Sequence, residues 1–241
     1  MRIPRLYLPQ ALREGAQLAL EERAAGYLVR VLRLRDGAAL RVFDGAGAEH
    51  TATLQVRGKA ASVVLGAALV RDVESPLRVQ LVQGISKGER MDYSLQKAVE
   101  LGVHRIVPVE ASRSVVNLRG ERAEKRWAHW RGVVVSACEQ CGRALVPEVL
   151  PPRPLAEWLA EDDAALRLLL APEGDGALAD MAPPHGLVSV LIGPEGGLSE
   201  AEREACRAAG FRFLRLGPRV LRTETAAVAA LAVLQARWGD L

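Results

Sequence analysis

The sequence predicts an α/β fold: a small β-rich domain, then a parallel sheet covered by helices. Three observations carry this. Several short strand-like runs crowd into the first seventy residues, and from Leu77 onward strand-like and helix-like runs alternate. Between them "RDVESP" (Arg71–Pro76) is polar and ends in proline, as a linker does. The division expected is residues 1–70, a linker at 71–76, and a second domain at 77–241.

The first domain reads as a small barrel. "AALRVFDGAGAEHTATLQV" is two strands around a turn at Asp44-Gly45-Ala46-Gly47, a hairpin pattern. "KAASVVLGAALV" adds one or two strands. Between Glu21 and Leu34 the apolar spacing is helical and puts Leu28, Val31 and Leu32 on one side. In the second domain "LRVQLVQG" is a strand and "ERMDYSLQKAVELG" a helix closed by Gly102. "HRIVPV" is the next strand and "GERAEKRWAHWRGVVVSACEQCGR" a long helix. "LRLLLAPEG" and "LVSVLIGPEGG" are strands. A helix stopping at Gly210, the strand and loop "FRFLRLGPRVLRTET", and the closing helix "AAVAALAVLQARW" complete the chain.

Composition narrows the function classes. No run of about 18 apolar residues appears, so no membrane partner is expected. "MRIPRLYLPQ" lacks the apolar core of a secretory signal, and three cysteines fit a reducing compartment, so the cytoplasm is expected. Net charge is only +3 but unevenly spread. Residues 1–41 hold eight arginines against four acids, whereas residues 155–204 hold two against eleven. One face meeting a polyanion, or merely solvated helix faces, would each account for this. Cys138 and Cys141 form a C-x-x-C with no second pair or histidines to complete a zinc site, so no metal is expected.

Three consecutive strands end alike. Leu170 leads into Ala171-Pro172-Glu173-Gly174, Ile192 into Gly193-Pro194-Glu195-Gly196-Gly197, and Leu216 into Gly217-Pro218-Arg219. Proline stops a ladder and glycine lets a ligand approach the backbone. Ligands of open α/β sheets bind outside the carboxyl ends of the strands, so these loops should line one pocket. The dinucleotide fingerprint and the P-loop are both missing, which counts against an oxidoreductase or an ATPase. Glu195 would repel phosphate. Ser199 and Glu202 form a capping box that occupies the next helix's own donors. The loop therefore suits a nucleoside with little negative charge. Thr223 is the expected N-cap of the last helix, with Glu224 in its first turn.

"LIGPEGGLSEAE" with "LGPRVLRTETA" resembles the RsmE-type ribosomal RNA uridine-N3 methyltransferases of the SPOUT superfamily. "SKGERMDYSLQKAVELGV" (86–103), "ACEQCGRALVPEV" (137–149), "VLRLRDG" (31–37) and "FDGAG" (43–47) match it too, so the resemblance spans nearly the whole chain. Tyr27 departs from it, standing where the family prefers a histidine. The resemblance implies a PUA-like β-barrel that grips RNA. It also implies a SPOUT methyltransferase domain with a deep trefoil knot, a homodimer, S-adenosyl-L-methionine as cofactor, and 16S rRNA or the small ribosomal subunit as partner. The cofactor would be held by Leu170 and Ala171 in the first loop and by Ile192, Gly193, Glu195, Gly196 and Gly197 in the second. Leu216, Gly217, Val220, Leu221 and Thr223 would hold it in the third. Arg222 would stabilise charge on the uracil, and Glu224, or a water it orients, would take the N3 proton. Arg2, Arg5, Arg30, Arg33, Lys87, Arg90, Arg113 and Arg143 are the candidate RNA contacts. Two alternatives stay open: a non-catalytic RNA-binding or ribosome-assembly protein, and a SPOUT methyltransferase with another RNA target.

Overall fold

The computed structural model describes all residues except 1, 2, 59, 115–117, 175, 177, 179 and 180. The chain forms two compact units: Met1–Glu74 with Cys138–Val146, and Ser75–Ala137 with Pro147–Leu241.

The first unit is a five-stranded sheet. Its strands are β1 (Arg5–Tyr7), β2 (Gln17–Ala19), β3 (Ala39–Phe43), β4 (Glu49–Arg57) and β5 (Ala60–Leu69), in the order β1-β3-β4-β5-β2. Only β1 and β3 pair in parallel. In β4 the buried Ala52 and Leu54 alternate with exposed Thr51 and Thr53, the period of a half-buried strand. The β3–β4 turn falls where the sequence puts it. Asp44 Oδ1 accepts from the Ala46 and Ala48 amides, and Gly45 and Gly47 take positive φ. Leu6, Leu28, Val42, Leu54, Val63 and Leu65 form the core.

The segment between β2 and β3 differs from the helical expectation. A short helix, α1 (Glu22–Gly26), runs into a π-helical turn at Tyr27–Val31. The Leu32 amide reaches back five residues to the Tyr27 carbonyl at 2.9 Å. The wider turn breaks the 3.6-residue phase that would have kept Val31 and Leu32 beside Leu28. Leu28 is buried; Val31 and Leu32 are exposed.

Two arginines expected at RNA are interior groups of this unit. Arg5 is 7% exposed and bonds both carboxylate oxygens of Glu49, at 3.0 and 3.3 Å. It also donates to the Cys138 and Arg143 carbonyls and lies 4.4 Å from the centroid of the Phe43 ring. Arg143 is 6% exposed and holds Glu74 through two nitrogens, at 2.6 and 2.9 Å. A buried guanidinium must be paired, and here the carboxylates of its own unit pair it. Arg5 and Arg143, expected at RNA, are thus engaged with carboxylates inside their own unit. Arg2 lies outside the described residues.

The second unit is an α/β sheet in the order β12-β10-β11-β6-β7-β8, with β9 also beside β7, and every pairing is parallel. In chain order the elements are β6 (Val79–Gly84), α2 (Glu89–Glu100), β7 (Arg105–Glu110) and α3 (Glu121–Cys141). Next come β8 (Glu148–Val149), β9 (Arg153–Pro154), α4 (Leu155–Glu161), β10 (Leu166–Leu170) and β11 (Val188–Ile192). The chain closes with α5 (Glu200–Ala208), β12 (Arg212–Leu214) and α6 (Thr223–Trp238). Both β6 and β11 are buried throughout, which is why they read as continuous runs instead of alternating ones. β10 and β11 end at the predicted Leu170 and Ile192. β12 stops at Leu214, two residues before the predicted Leu216, because Leu170–Leu214 is the last pair β10 offers.

Candidate functional site

β10, β11 and β12 are neighbours and run the same way, so the segments leaving them share one end of the sheet. A cavity of about 590 Å³ opens there. Leu170 and Ala171 line it from the first loop, and Ile192, Gly193, Glu195 and Gly197 from the second. Val220, Leu221, Arg222, Thr223 and Glu224 line it from the third, with Arg90 and Arg113 at its wall. Glu173 of the first loop lines it too and pairs at 3.0 Å with Arg203, a lining residue the sequence missed. Three expected cofactor residues do not line it. Gly196 backs onto the β7 loop, where an added Cβ would lie 2.9 Å from the Arg113 carbonyl oxygen. Leu216 and Gly217 fall between the shortened β12 and the lining segment. Arg30 and Arg33 belong to the first unit, and Lys87 contributes its backbone amide.

Side-chain hydrogen bonds hold these loops in place. Thr223 Oγ1 donates to the Gly193 carbonyl at 2.8 Å and accepts from Gln83 Nε2 at 2.9 Å. That hydroxyl joins the end of β6, the β11 loop and the start of α6. Thr223 is consequently not the N-cap: Arg222 holds that position and Thr223 begins the helix. Glu195 accepts from the Lys87 amide at 2.9 Å and from Arg90 at 3.2 Å. Burial pushes its carboxyl up, but these bonds outweigh it and hold the group below the usual range. Ser199 and Glu202 form the predicted capping box. Glu202 does more than cap: its carboxylate also takes the Ser112 amide at 2.7 Å and the Ser112 hydroxyl at 2.9 Å. Burial raises the Glu202 carboxyl, and the four serine donors outweigh it to hold it low. Gly84 is a steric requirement of the same region. A Cβ there would sit 2.6 Å from Pro194 Cδ and 2.8 Å from the Gly193 carbonyl carbon.

Four arginines and three glutamates line the cavity, so its charge nearly balances. Against Gly197, at φ 68°, a Cβ would meet nothing within 4 Å, so the backbone is open to a ligand. Arg90 sits between two carboxylates, 3.2 Å from Glu195 and 4.0 Å from Glu224. Glu224 Oε2 is buried without a hydrogen-bond partner among the described residues. Arg222 is exposed and makes no ion pair there. Among the described residues no cluster of His, Cys, Asp or Glu could hold a metal ion, and no helix is long and apolar enough to cross a membrane. Burial pushes the Cys138 thiol up to about 12, so this member of the C-x-x-C behaves as an apolar group.

Residues 73–235 match the family model of an RNA methyltransferase domain, and residues 20–65 that of an RNA methyltransferase PUA domain. This chain is a member of the RNA methyltransferase family, RsmE type. Ribosomal RNA small subunit methyltransferase E of Buchnera aphidicola subsp. Schizaphis graminum is 33% identical over 100% of this chain and 98% of its own. The crystal structure of a ribosomal RNA small subunit methyltransferase E from Neisseria gonorrhoeae bound to S-adenosyl methionine superposes with a TM-score of 0.93 at 42% identity, covering all of both chains. A putative methyltransferase of Legionella pneumophila in complex with bound SAM superposes at 0.96 with 40% identity, again over both whole chains. As a family member the chain is an RNA-methylating enzyme with an α/β methyltransferase domain and a PUA-like domain. Every residue lining the cavity lies inside the methyltransferase match.

Proposed function

We propose that this enzyme methylates N3 of one uridine in the 16S rRNA of the small ribosomal subunit, with S-adenosyl-L-methionine as donor. The observation that carries the reading is Glu224 Oε2, a buried acceptor without a donor in a wall of the cavity. Uridine N3–H supplies such a donor, and an unpaired buried acceptor is costly until it is satisfied. The cavity fits a nucleoside donor: its volume falls within the ordinary ligand range, its charge is near balance and its glycine backbone is open. When bound, S-adenosylmethionine supplies an electrophilic methyl group on a sulfonium.

The chain's own groups then have defined tasks. Glu224 accepts the N3 proton as the N3–methyl bond forms. Arg222 meets the negative charge that grows on the uracil oxygens. Because N3 lies on the pairing edge, the uridine enters unpaired or flipped out. Leu170, Ala171, Ile192, Gly193, Gly197, Val220 and Leu221 hold the adenosine chiefly through backbone, and Glu195 and Thr223 hold the loops.

Residues 1–70, joined in one unit by Arg71–Glu74 and Cys138–Val146, serve as the RNA-binding domain, and the rest of 77–241 as the methyltransferase domain, acting in the cytoplasm. A trefoil knot in this domain is part of the same proposal and rests on the family resemblance. A homodimer is supported by exposed Tyr93 on α2 and Val233 on α6, two helices that pack together.

Nucleoside mass spectrometry of 16S rRNA from cells lacking the protein tests the assignment. Loss of one N3-methyluridine is expected; no lost uridine methylation overturns it. In vitro, Arg222→Ala and Glu224→Gln should each lower kcat by about a hundredfold or more with cofactor affinity unchanged. Wild-type rates in both would remove these residues from the chemistry.

A further inference from the structure

The π-helical turn of the first unit presents an apolar surface that the fold leaves uncovered. Leu28 enters the core, yet Tyr27 is 42% exposed, Val31 66% and Leu32 36%. In a regular helix Val31 and Leu32 would have followed Leu28 inward; the π turn directs them to solvent. π turns are rare and gather at functional sites. The turn closes with Arg33 at φ 55°, the only non-glycine with positive φ among the described residues, while the Leu34 amide returns to the Leu28 carbonyl at 3.0 Å. Glycine is the usual residue at such a closure, so a side chain is retained there against backbone preference.

Four arginines lie within four residues of this apolar group along the chain. Arg23, Arg30, Arg33 and Arg35 are all exposed, and none has a side-chain ion pair or hydrogen bond among the described residues. Two acids, Glu21 and Glu22, share the start of α1, so the charge balance favours anions without being purely basic. The Arg30 guanidinium folds back over Gly26, where a Cβ would approach its Nη2 to 2.5 Å.

We propose that Tyr27, Val31 and Leu32, with Arg30 and Arg33, form a platform for a single-stranded stretch of the substrate RNA. One unpaired base stacks on the Tyr27 ring, and flanking phosphates take Arg30 and Arg33. The inference rests on the RNA methyltransferase reading above. An exposed aromatic ring beside unpaired guanidiniums is the chemistry of base stacking and phosphate pairing, and a duplex hides the base faces that such a ring needs.

The test measures binding of full-length protein to a fluorescent oligouridylate of about 12 nucleotides and to the same strand in duplex. Wild type should prefer the single strand. Tyr27→Ala should weaken single-strand binding between about fivefold and a hundredfold, whereas Tyr27→Trp retains it. Removing Arg30 and Arg33 together should lower the slope of log K against log salt by about 0.7 per arginine. Arg33→Gly is the decisive variant. It relieves the left-handed backbone, so the protein should melt no lower than wild type and still bind RNA more weakly. Equal binding by wild type and Tyr27→Ala, no preference for single strands, or an Arg33→Gly protein that binds as wild type overturns the platform. If wild type neither binds nor methylates 16S rRNA, the functional reading itself has failed; if it does both and the variants match it, only the platform has.

Discussion

Replacing Glu202 by alanine should cost about 2–3 kcal/mol of stability in the methyltransferase unit. Its carboxylate accepts from the Ser199 amide and hydroxyl, both at 2.8 Å, and from the Ser112 amide and hydroxyl, at 2.7 and 2.9 Å. The hydroxyls can turn to water and lose little. The two amides lose a charged acceptor, worth about 1.5–3 kcal/mol each when water cannot replace it. Ser112 is exposed and recovers most of that; Ser199 is half-buried and recovers part. The capping box is counted in that Ser199 amide, because the Glu202 amide still reaches the Ser199 hydroxyl in the variant. All four tryptophans, Trp127, Trp130, Trp158 and Trp238, lie in this unit, so urea unfolding followed by tryptophan emission reports on it. The pH dependence has a fixed sign. The folded-state pKa of Glu202 is depressed, so its contribution is complete above the unfolded value, about 4.3, and fades as pH falls through the lower folded value. The gap between wild type and Glu202→Ala should be constant from pH 7 to 5 and narrow below about 4. A variant as stable as wild type at pH 7, or a gap that widens on acidification, would refute the reasoning.

Gly84→Ala should destabilise by about 1–3 kcal/mol and weaken cofactor binding, because Gly193 and Pro194 must retreat from the new methyl; isothermal titration and melting of the variant check it. Arg5→Met should cost the first unit up to about 3–5 kcal/mol by leaving the buried Glu49 with only the longer Arg71 pairing, at 3.9 Å. Faster hydrogen exchange across β3 and β4 would register it, and RNA affinity lost far beyond the stability change would contradict the structural role. Iodoacetamide at pH 8 should spare Cys138 and Cys206, whose burial raises both thiols to about 12, and should modify the half-buried Cys141 first. Peptide mass spectrometry reads the order.

What was legible in the sequence was what local chemistry decides. Gly102, the Asp44 turn and the Ser199–Glu202 capping box each satisfy backbone groups within a few residues, so short-range pattern sufficed. The continuous apolar runs of β6 and β11 announced a sheet buried on both faces. The small-Pro breaks after β10 and β11 placed two of the three lining loops. What failed was what distant partners decide. Arg5 and Arg143 carry the same charge as a surface arginine, and nothing local announces that Glu49 and Glu74 will bury them. Thr223 resembles an N-cap until Gly193 and Gln83 take its hydroxyl. The π turn escaped because a 3.6-residue template has no place for the extra residue. One signal was available and unused: a glycine ending a buried strand, as Gly84 does, asks what backbone lies against it.

The carboxylates of the β11 loop follow from the geometry of parallel strands. Where such strands end, their carbonyls and amides diverge and the loops have no ladder to share, so side chains must tie one loop to the next. Glu195 ties the loop to the amide ahead of α2, Glu202 in the first turn of α5 ties the helix that follows the loop to the β7 loop, and Thr223 ties the loop to α6. A lysine at position 195 could accept neither the Lys87 amide nor the Arg90 guanidinium, and would set a second cation beside Arg90. The carboxylate therefore answers a structural demand first, and the scarcity of free positive charge against the glycines follows from it. Since both glutamates are held below their usual range, the two ties stay ionised at neutral pH. The loop is thus fixed before any ligand arrives, and binding energy need not be spent on ordering it. Glu224, in the first turn of α6 and joined to the same loop through Arg90, is left with an unsatisfied oxygen inside a cavity whose walls are already in place.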